Sequence, residues 1–142
     1  MNISAAWVEI IKSYESCRLT AYWDKKGWSI GWGHQDPGIK EGDVWTQQQA
    51  DAQLMADIAG AESCVNHLVE VKLTQGEFDA LVDFVFNLGC ADLKGSTMLR
   101  LLNTGNYWGA ATQFDLWDHV NGAVVAGLLR RRMQEKAAFT GG

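Results

Sequence analysis

The sequence predicts a mainly helical α+β domain, and three observations carry that reading. Two capping boxes, Thr46-Gln47-Gln48-Gln49 and Thr74-Gln75-Gly76-Glu77, each precede an apolar stripe at helical spacing. A single stretch, residues 21–32, instead sets aromatic and β-branched residues on either side of a turn. At 142 residues, 47% of them hydrophobic, the chain has the size and apolar content for one domain, residues 1–142, with its own core.

The elements follow in order. Trp7, Ile10, Ile11 and Tyr14 recur at helical spacing behind Ser4, a candidate N-cap. Within residues 21–32, Asp24-Lys25-Lys26-Gly27 forms the turn. On the second strand Trp28, Ile30 and Trp32 point one way and Ser29, Gly31 and Gly33 the other, because strand side chains alternate. A face of serine and glycine leaves space, so it is expected to border a cleft while the other face packs inward; a hairpin trimmed only for packing is the alternative. Ala50, Leu54, Ile58, Ala61, Val65 and Leu68 trace one stripe and predict a long helix over residues 47–67. Leu73 and Phe78 stand at the positions of a hydrophobic staple, and Phe78, Leu81, Val82, Val85 and Phe86 form a stripe that Gly89 closes. Further helices are expected at residues 98–102, 107–117 and 128–139, separated by Gly105 and the Asn121-Gly122 pair.

Charge and cysteine content narrow the function classes. The net charge is −5, with 11 acids against 2 bases between residues 35 and 92. Such a chain lacks the broad basic surface that a phosphate backbone rewards, so no nucleic-acid partner is expected. The basic tail, with Arg130, Arg131, Arg132 and Lys136 against Glu135, reads as a solvated helix face or as a contact for an anionic polymer. The first residues show no basic start followed by a long apolar run, so neither a signal peptide nor a membrane anchor is expected. Cys17, Cys64 and Cys90 are odd in number and far apart, which points to reduced thiols rather than a disulfide framework or a zinc site. His34, His67 and His119 are remote from one another, so no metal and no cofactor are expected, and His34 is read as fixing a local hydrogen bond.

Glu15 and Asp24 stand where the helical pattern gives way to the hairpin pattern, one at a helix end and one at a turn. Cutting a glycosidic bond requires two such carboxyls, one to protonate the departing oxygen and one to activate water or meet the sugar carbon. Glu15, behind an apolar helix face, is the candidate acid; Asp24, at a turn beside Lys25 and Lys26, is the candidate ionised partner.

Several motifs in one order resemble the phage-type lysozymes, or endolysins, of glycoside hydrolase family 24. Glu15, then eight residues, then Asp24 matches that family in type and spacing, and Ser29-Ile30-Gly31-Trp32-Gly33-His34 is similar to its Ile-Gly-aromatic-Gly-His run. Leu73-Thr74-Gln75, Phe78-Asp79-Ala80-Leu81-Val82 and Phe86-Asn87-Leu88-Gly89 resemble its central helix; Gly127-Leu128, Arg131-Arg132 and Glu135 resemble its carboxy-terminal helix. Two features depart from the family: the turn before Ser29 is one residue shorter, and Ser29 replaces a Thr, keeping the hydroxyl but losing the methyl that stiffens the rotamer.

The resemblance implies a two-lobed lysozyme-like fold. Its small hairpin lobe covers about residues 13–45; a long connecting helix leads to a helical lobe of about residues 68–142 plus the first helix, with a cleft between the lobes. It implies hydrolysis of the β-1,4 bond between N-acetylmuramic acid and N-acetylglucosamine in peptidoglycan glycan strands, for host-cell lysis. Glu15 is then the general acid, Asp24 the carboxylate that orients water or stabilises positive charge, and Ser29 the polar aid. A monomer made in the host cytoplasm and released to the periplasmic wall through a holin is expected on the same ground.

Trp32 and Phe86 are candidates to stack on a sugar ring, with core packing as the alternative. Asn87 and Ser96 are candidates to bind acetamido or hydroxyl groups, with capping or loop roles as the alternative. Arg131 or Arg132 either reaches towards Glu15 or faces solvent. Trp7, Trp45, Trp108 and Trp117 are assigned to packing. The rival functions are a lytic transglycosylase, which needs one Glu alone, a peptidoglycan-binding module that has lost catalysis, and, least fitting the charge, a helical DNA-binding domain.

Overall fold

The computed structural model describes residues 1–120 and 122–141, so Asn121 of the Asn121-Gly122 pair lies outside the described residues. Contacts divide the chain into two compact units, Ala5–Gly60, and Ala61–Gly142 with Met1–Ser4.

The first unit opens with helix α1, Ala5–Glu15, which buries Trp7 and Ile11. The helix ends because Ser16 turns left-handed (φ 54°) while its N–H still bonds the Lys12 carbonyl at 3.1 Å. An antiparallel sheet follows, β1 (Arg18–Asp24), β2 (Gly27–Gly31) and β3 (His34–Gln35), in that spatial order. Next to the turn, Asp24 pairs with Gly27, Trp23 with Trp28 and Tyr22 with Ser29; the register then slips before Arg18 meets Gly31. The freed stretch of β1 bonds residues 43–45 instead, through Ala21 N–H to the Asp43 carbonyl and Trp45 N–H to the Leu19 carbonyl, each at 2.8 Å.

Helix α2, Gln47–Leu68, starts at the expected capping box: Gln49 N–H donates to the Thr46 hydroxyl at 3.1 Å and Thr46 N–H to the Gln49 side chain at 2.8 Å. Its stripe residues Ala50, Leu54 and Ile58 are buried, as is Ile30 from the sheet. The bare serine and glycine face is filled rather than open at Gly31, where an added β-carbon would stand 3.1 Å from the Trp45 ring. Strand alternation also stops there, since Gly31 and Gly33 both have positive φ. By contacts α1 groups with the sheet, where the sequence reading grouped it with the helical lobe.

The second unit continues from Ala61 of α2 through α3 (Gln75–Leu88), α4 (Cys90–Lys94), α5 (Thr97–Asn103) and α6 (Tyr107–Ala111). A 3-10 turn (Phe114–Leu116), a two-stranded hairpin of β4 (His119–Val120) and β5 (Ala123–Val124), and α7 (Ala126–Phe139) complete it. Both halves of the Thr74 capping box form, and Gly89 closes α3 by bonding the Val85 carbonyl. Helices α3 and α7 pack so tightly that a β-carbon on Gly76 would collide with the Ala138 carbonyl. Phe84 meets Phe114 and Trp117 edge-on, with centroids 6.0 and 5.3 Å away.

Four expectations need correction. Cys64 and Cys90 form a disulfide with α-carbons 6.0 Å apart, and Cys17 alone is a free thiol; the odd count hid a pair that α2 and α4 bring together. Arg131 and Arg132 are buried, so the basic tail is only partly a solvated face. The helix expected over residues 107–117 breaks after Ala111, and Trp108 on its short remainder is 72% exposed rather than packed. The β4–β5 hairpin and α4 had no reading in the sequence, being too short to show a period.

Candidate active site

Glu15 is the last residue of α1, and the left-handed Ser16 behind it turns the chain straight into β1. Its carboxylate lies against the backbone of Gly33: a β-carbon there would sit 3.0 Å from Glu15 Oε2. Glycine at 33, with φ +78°, therefore serves both the turn and the acid. Asp24 is the exposed last residue of β1. Ser29 lies in β2, only 2% exposed, directly opposite Tyr22.

Tyr22 and Asp24 project from the same side of β1, so Tyr22, Asp24 and Ser29 share one face of the sheet, while Trp23 and Trp28 pair on the other. Ser29 accepts a hydrogen bond from Gln35 Nε2 at 3.2 Å and faces Tyr22 across the strand pair. Burial first, then the charge of Asp24 and, more weakly, that of Glu15, push the Tyr22 phenol above its ordinary pKa against the opposing effects of Ser29 and Arg18. Tyr22 is thus the common neighbour of all three expected catalytic residues. Neither Tyr22 nor Gln35 was singled out from the sequence; the alternation that links Tyr22 to Asp24 was the available signal.

Two further residues of this unit are anchored. The Trp32 indole N–H donates to Asp51 at 2.8 Å, and the Lys12 ammonium lies 5.5 Å from its ring centre. His34 bridges Asp57 through Nδ1 at 2.8 Å and Asp36 through Nε2 at 2.7 Å, which is the local hydrogen-bonding role expected of it. Burial works to lower its pKa, but the bonds to Asp57 and Asp36 outweigh burial and raise it.

The other candidates stand in the second unit. Phe86 is half-buried on α3. Asn87 accepts from Arg132 Nη2 at 2.9 Å. Ser96 is the N-cap of α5, accepting from Leu99 N–H at 3.0 Å and donating to the Leu93 carbonyl at 2.7 Å. Arg131 grips Asp83 through Nε at 3.0 Å and Nη2 at 2.6 Å, and Arg132 grips Glu135. Burial alone would raise the Asp83 pKa, yet Arg131 holds it below the ordinary value; burial and the neighbouring Asp83 push Glu135 well above. Among the described residues no group of His, Cys, Asp or Glu is arranged to hold a metal ion.

The sequence signature described as phage lysozyme matches residues 12–135, which covers every residue of this sheet face. An endolysin of Acyrthosiphon pisum secondary endosymbiont phage 1 is 42% identical over 98% of both chains. The chain belongs to the phage lysozyme family. As a phage lysozyme it is a glycoside hydrolase, an endolysin-type enzyme of peptidoglycan hydrolysis. Not every phage lysozyme has this length: an endolysin of Bacillus phage B103 is 39% identical over the whole chain, which spans 55% of that longer protein. The fold is similar to that of the muramidase domain of SpmX from Asticaccaulis excentricus, with a TM-score of 0.87 and 43% identity over 97% of both chains. The mainly helical α+β architecture with a small amino-terminal antiparallel sheet is therefore that of the family. Among the described residues no helix is long and apolar enough to cross a membrane.

Proposed function

We propose that this enzyme cleaves the β-1,4 bond between N-acetylmuramic acid and N-acetylglucosamine, with Glu15 as general acid, Asp24 as the carboxylate that holds water or stabilises charge on the sugar, and Ser29 as its polar aid. One observation carries the reading: Tyr22, which faces Ser29 across β1 and β2, lies within the field of Asp24 and, more weakly, of Glu15, so all three gather around one side chain. In the reaction the Glu15 proton passes to the glycosidic oxygen as its bond to the anomeric carbon breaks. Water supplies the new hydroxyl and gives its proton to Asp24. Trp32, its indole tied to Asp51, is the proposed sugar contact of this unit. The Cys64–Cys90 disulfide favours an oxidising working compartment, in keeping with synthesis in the host cytoplasm followed by holin-dependent release to the wall.

The test is mass spectrometry of soluble fragments released from purified peptidoglycan by the parent and by Glu15→Gln. Fragments ending in reducing N-acetylmuramic acid, absent with the variant, support a muramidase that uses Glu15. Anhydro ends would make it a transglycosylase, and glycan left intact by both proteins would make it a binding module.

A further inference from the structure

We propose that the outer face of the β1–β2 hairpin, built on Trp23, Trp28 and the recess beside them, is a second, non-catalytic binding site for the glycan strand. It rests on the proposed reaction for its peptidoglycan substrate alone, and on none of the roles given to Glu15, Asp24 and Ser29.

Side chains alternate along a strand, so Trp23 and Trp28 project from the side of the hairpin opposite to Tyr22, Asp24 and Ser29. Their rings meet edge-on, with centroids 5.6 Å apart and planes at 74°, an arrangement that does not stack one ring face on the other; Trp23 stays 63% exposed. Trp28 also lines a recess of about 470 Å³ with Lys26, Gln35, Asp36, Pro37 and Ile39, within the roughly 300–1,000 Å³ of ligand clefts. Pro37 and Ile39 make its apolar wall, and the other three supply hydrogen-bonding groups. The Lys26 ammonium offers donors. Each Asp36 oxygen already has one bond, Oδ2 with His34 Nε2 at 2.7 Å and Oδ1 from the Gly38 N–H at 2.6 Å, and each keeps a second lone pair. Gln35 spends its Nε2 on Ser29 and keeps its side-chain carbonyl oxygen as an acceptor.

These groups suit a pyranose ring. Its C–H faces are apolar and pack on an indole, while its hydroxyl and acetamido groups meet donors and acceptors at the rim. An indole turns about only two side-chain torsions, so holding it against a ligand costs little entropy. One exposed ring and a recess of this size fall far short of the about 800 Å² per partner that a stable protein interface buries, which weighs against a protein ligand. The net charge of −5 weighs against a nucleic acid. Glycan strands repeat the same sugars along their length, so an enzyme held to the wall by this face meets further scissile bonds at a raised effective concentration.

The experiment titrates soluble glycan strands, with and without their stem peptides, into Glu15→Gln alone and combined with Trp23→Ala or Trp23→Tyr, by calorimetry in the cold. Thermal melts verify folding. Trp23→Ala is expected to weaken binding of the peptide-free strands about 10-fold and Trp23→Tyr less than about 2-fold, since tyrosine keeps an aromatic face. In protein that retains Glu15, Trp23→Ala should leave kcat and KM on a short glycan fragment within about 2-fold of the parent and slow the digestion of insoluble peptidoglycan about 5-fold or more. Unchanged affinity in Trp23→Ala would overturn the second site. An equal loss on the short fragment would overturn it too, because Trp23 would then serve the catalytic face. A loss seen only with strands that carry stem peptides would make the ligand a peptide and refute the glycan assignment. If the parent cuts no glycan while binding still depends on Trp23, the proposed reaction has failed and this site stands.

Discussion

Opening the Cys64–Cys90 bridge is the perturbation whose cost the structure sets most directly. The bridged residues are 26 apart in sequence. Closing a loop of that size removes about 12 cal/mol/K of entropy from the unfolded chain, or ~3.5 kcal/mol at 25 °C. For a domain of this length such a loss corresponds to a fall in Tm of roughly 10 °C. The assay is urea unfolding of the oxidised parent, the parent reduced with dithiothreitol, and Cys64→Ala/Cys90→Ala. Thiol labelling of the oxidised parent should find Cys17 alone. The reduced parent contains the same side-chain atoms apart from two protons, so its deficit reports the crosslink, whereas the double variant adds the packing lost with two sulfurs. A denaturant slope somewhat steeper in the reduced protein would fit a more expanded unfolded state. If the reduced parent and the double variant both unfold within about 1 kcal/mol of the oxidised parent, the loop-closure reasoning is wrong for this chain.

Three other outcomes are expected. The raised His34 pKa means that the folded protein binds that proton more tightly than the unfolded chain. Its stabilisation is therefore complete below about pH 6.5 and fades as pH rises through the higher folded value. Asp36, held low chiefly by its bond to His34, gives stability that fades instead as pH falls through the carboxylate range. The stability gap between the parent and His34→Asn should accordingly be wider at about pH 5.5 than at about pH 8.5; equal gaps in urea melts at both values would refute this. Arg131→Met strips buried Asp83 of its two-point partner and should cost about 3–5 kcal/mol in the same assay; a loss under about 1 kcal/mol would show that the pair is not held as described. Ser16→Gly relieves a left-handed serine and should stabilise by roughly 0.5–1 kcal/mol, read as a rise in urea midpoint; a fall would mean that the serine side chain matters more than its backbone.

What was legible in the sequence follows the range of each signal. The capping boxes at Thr46 and Thr74 are four-residue patterns, and both helices begin where the boxes say. Glu15, Asp24 and Ser29 are singled out by type, spacing and family resemblance, and they lie around one tyrosine. Tyr22 and Gln35 were missed because their bearing on Ser29 exists only once two strand registers are fixed, and the slip in β1 is not written in any local pattern. Arg131 and Arg132 read as solvated because charge usually is; their burial depends on Asp83, Asn87 and Glu135 meeting them across α3 and α7. The Cys64–Cys90 pairing depends on two helices meeting, which an odd cysteine count conceals.

The contact between Gly76 and Ala138 bears on the order in which the enzyme is made. Helix α3 carries the apolar stripe of the second unit, and the surface that covers it belongs to α7, which is synthesised after it. While the chain is growing, Phe84 lacks Phe114 and Trp117, and Phe114 in turn lacks Phe139, until those residues have left the ribosome. The elements of Ala5–Gly60, with Glu15, Asp24 and Ser29 among them, emerge far earlier. A nascent chain stalled short of α7 should hence carry its antiparallel sheet alongside an unsealed hydrophobic helix, the kind of intermediate that chaperones bind.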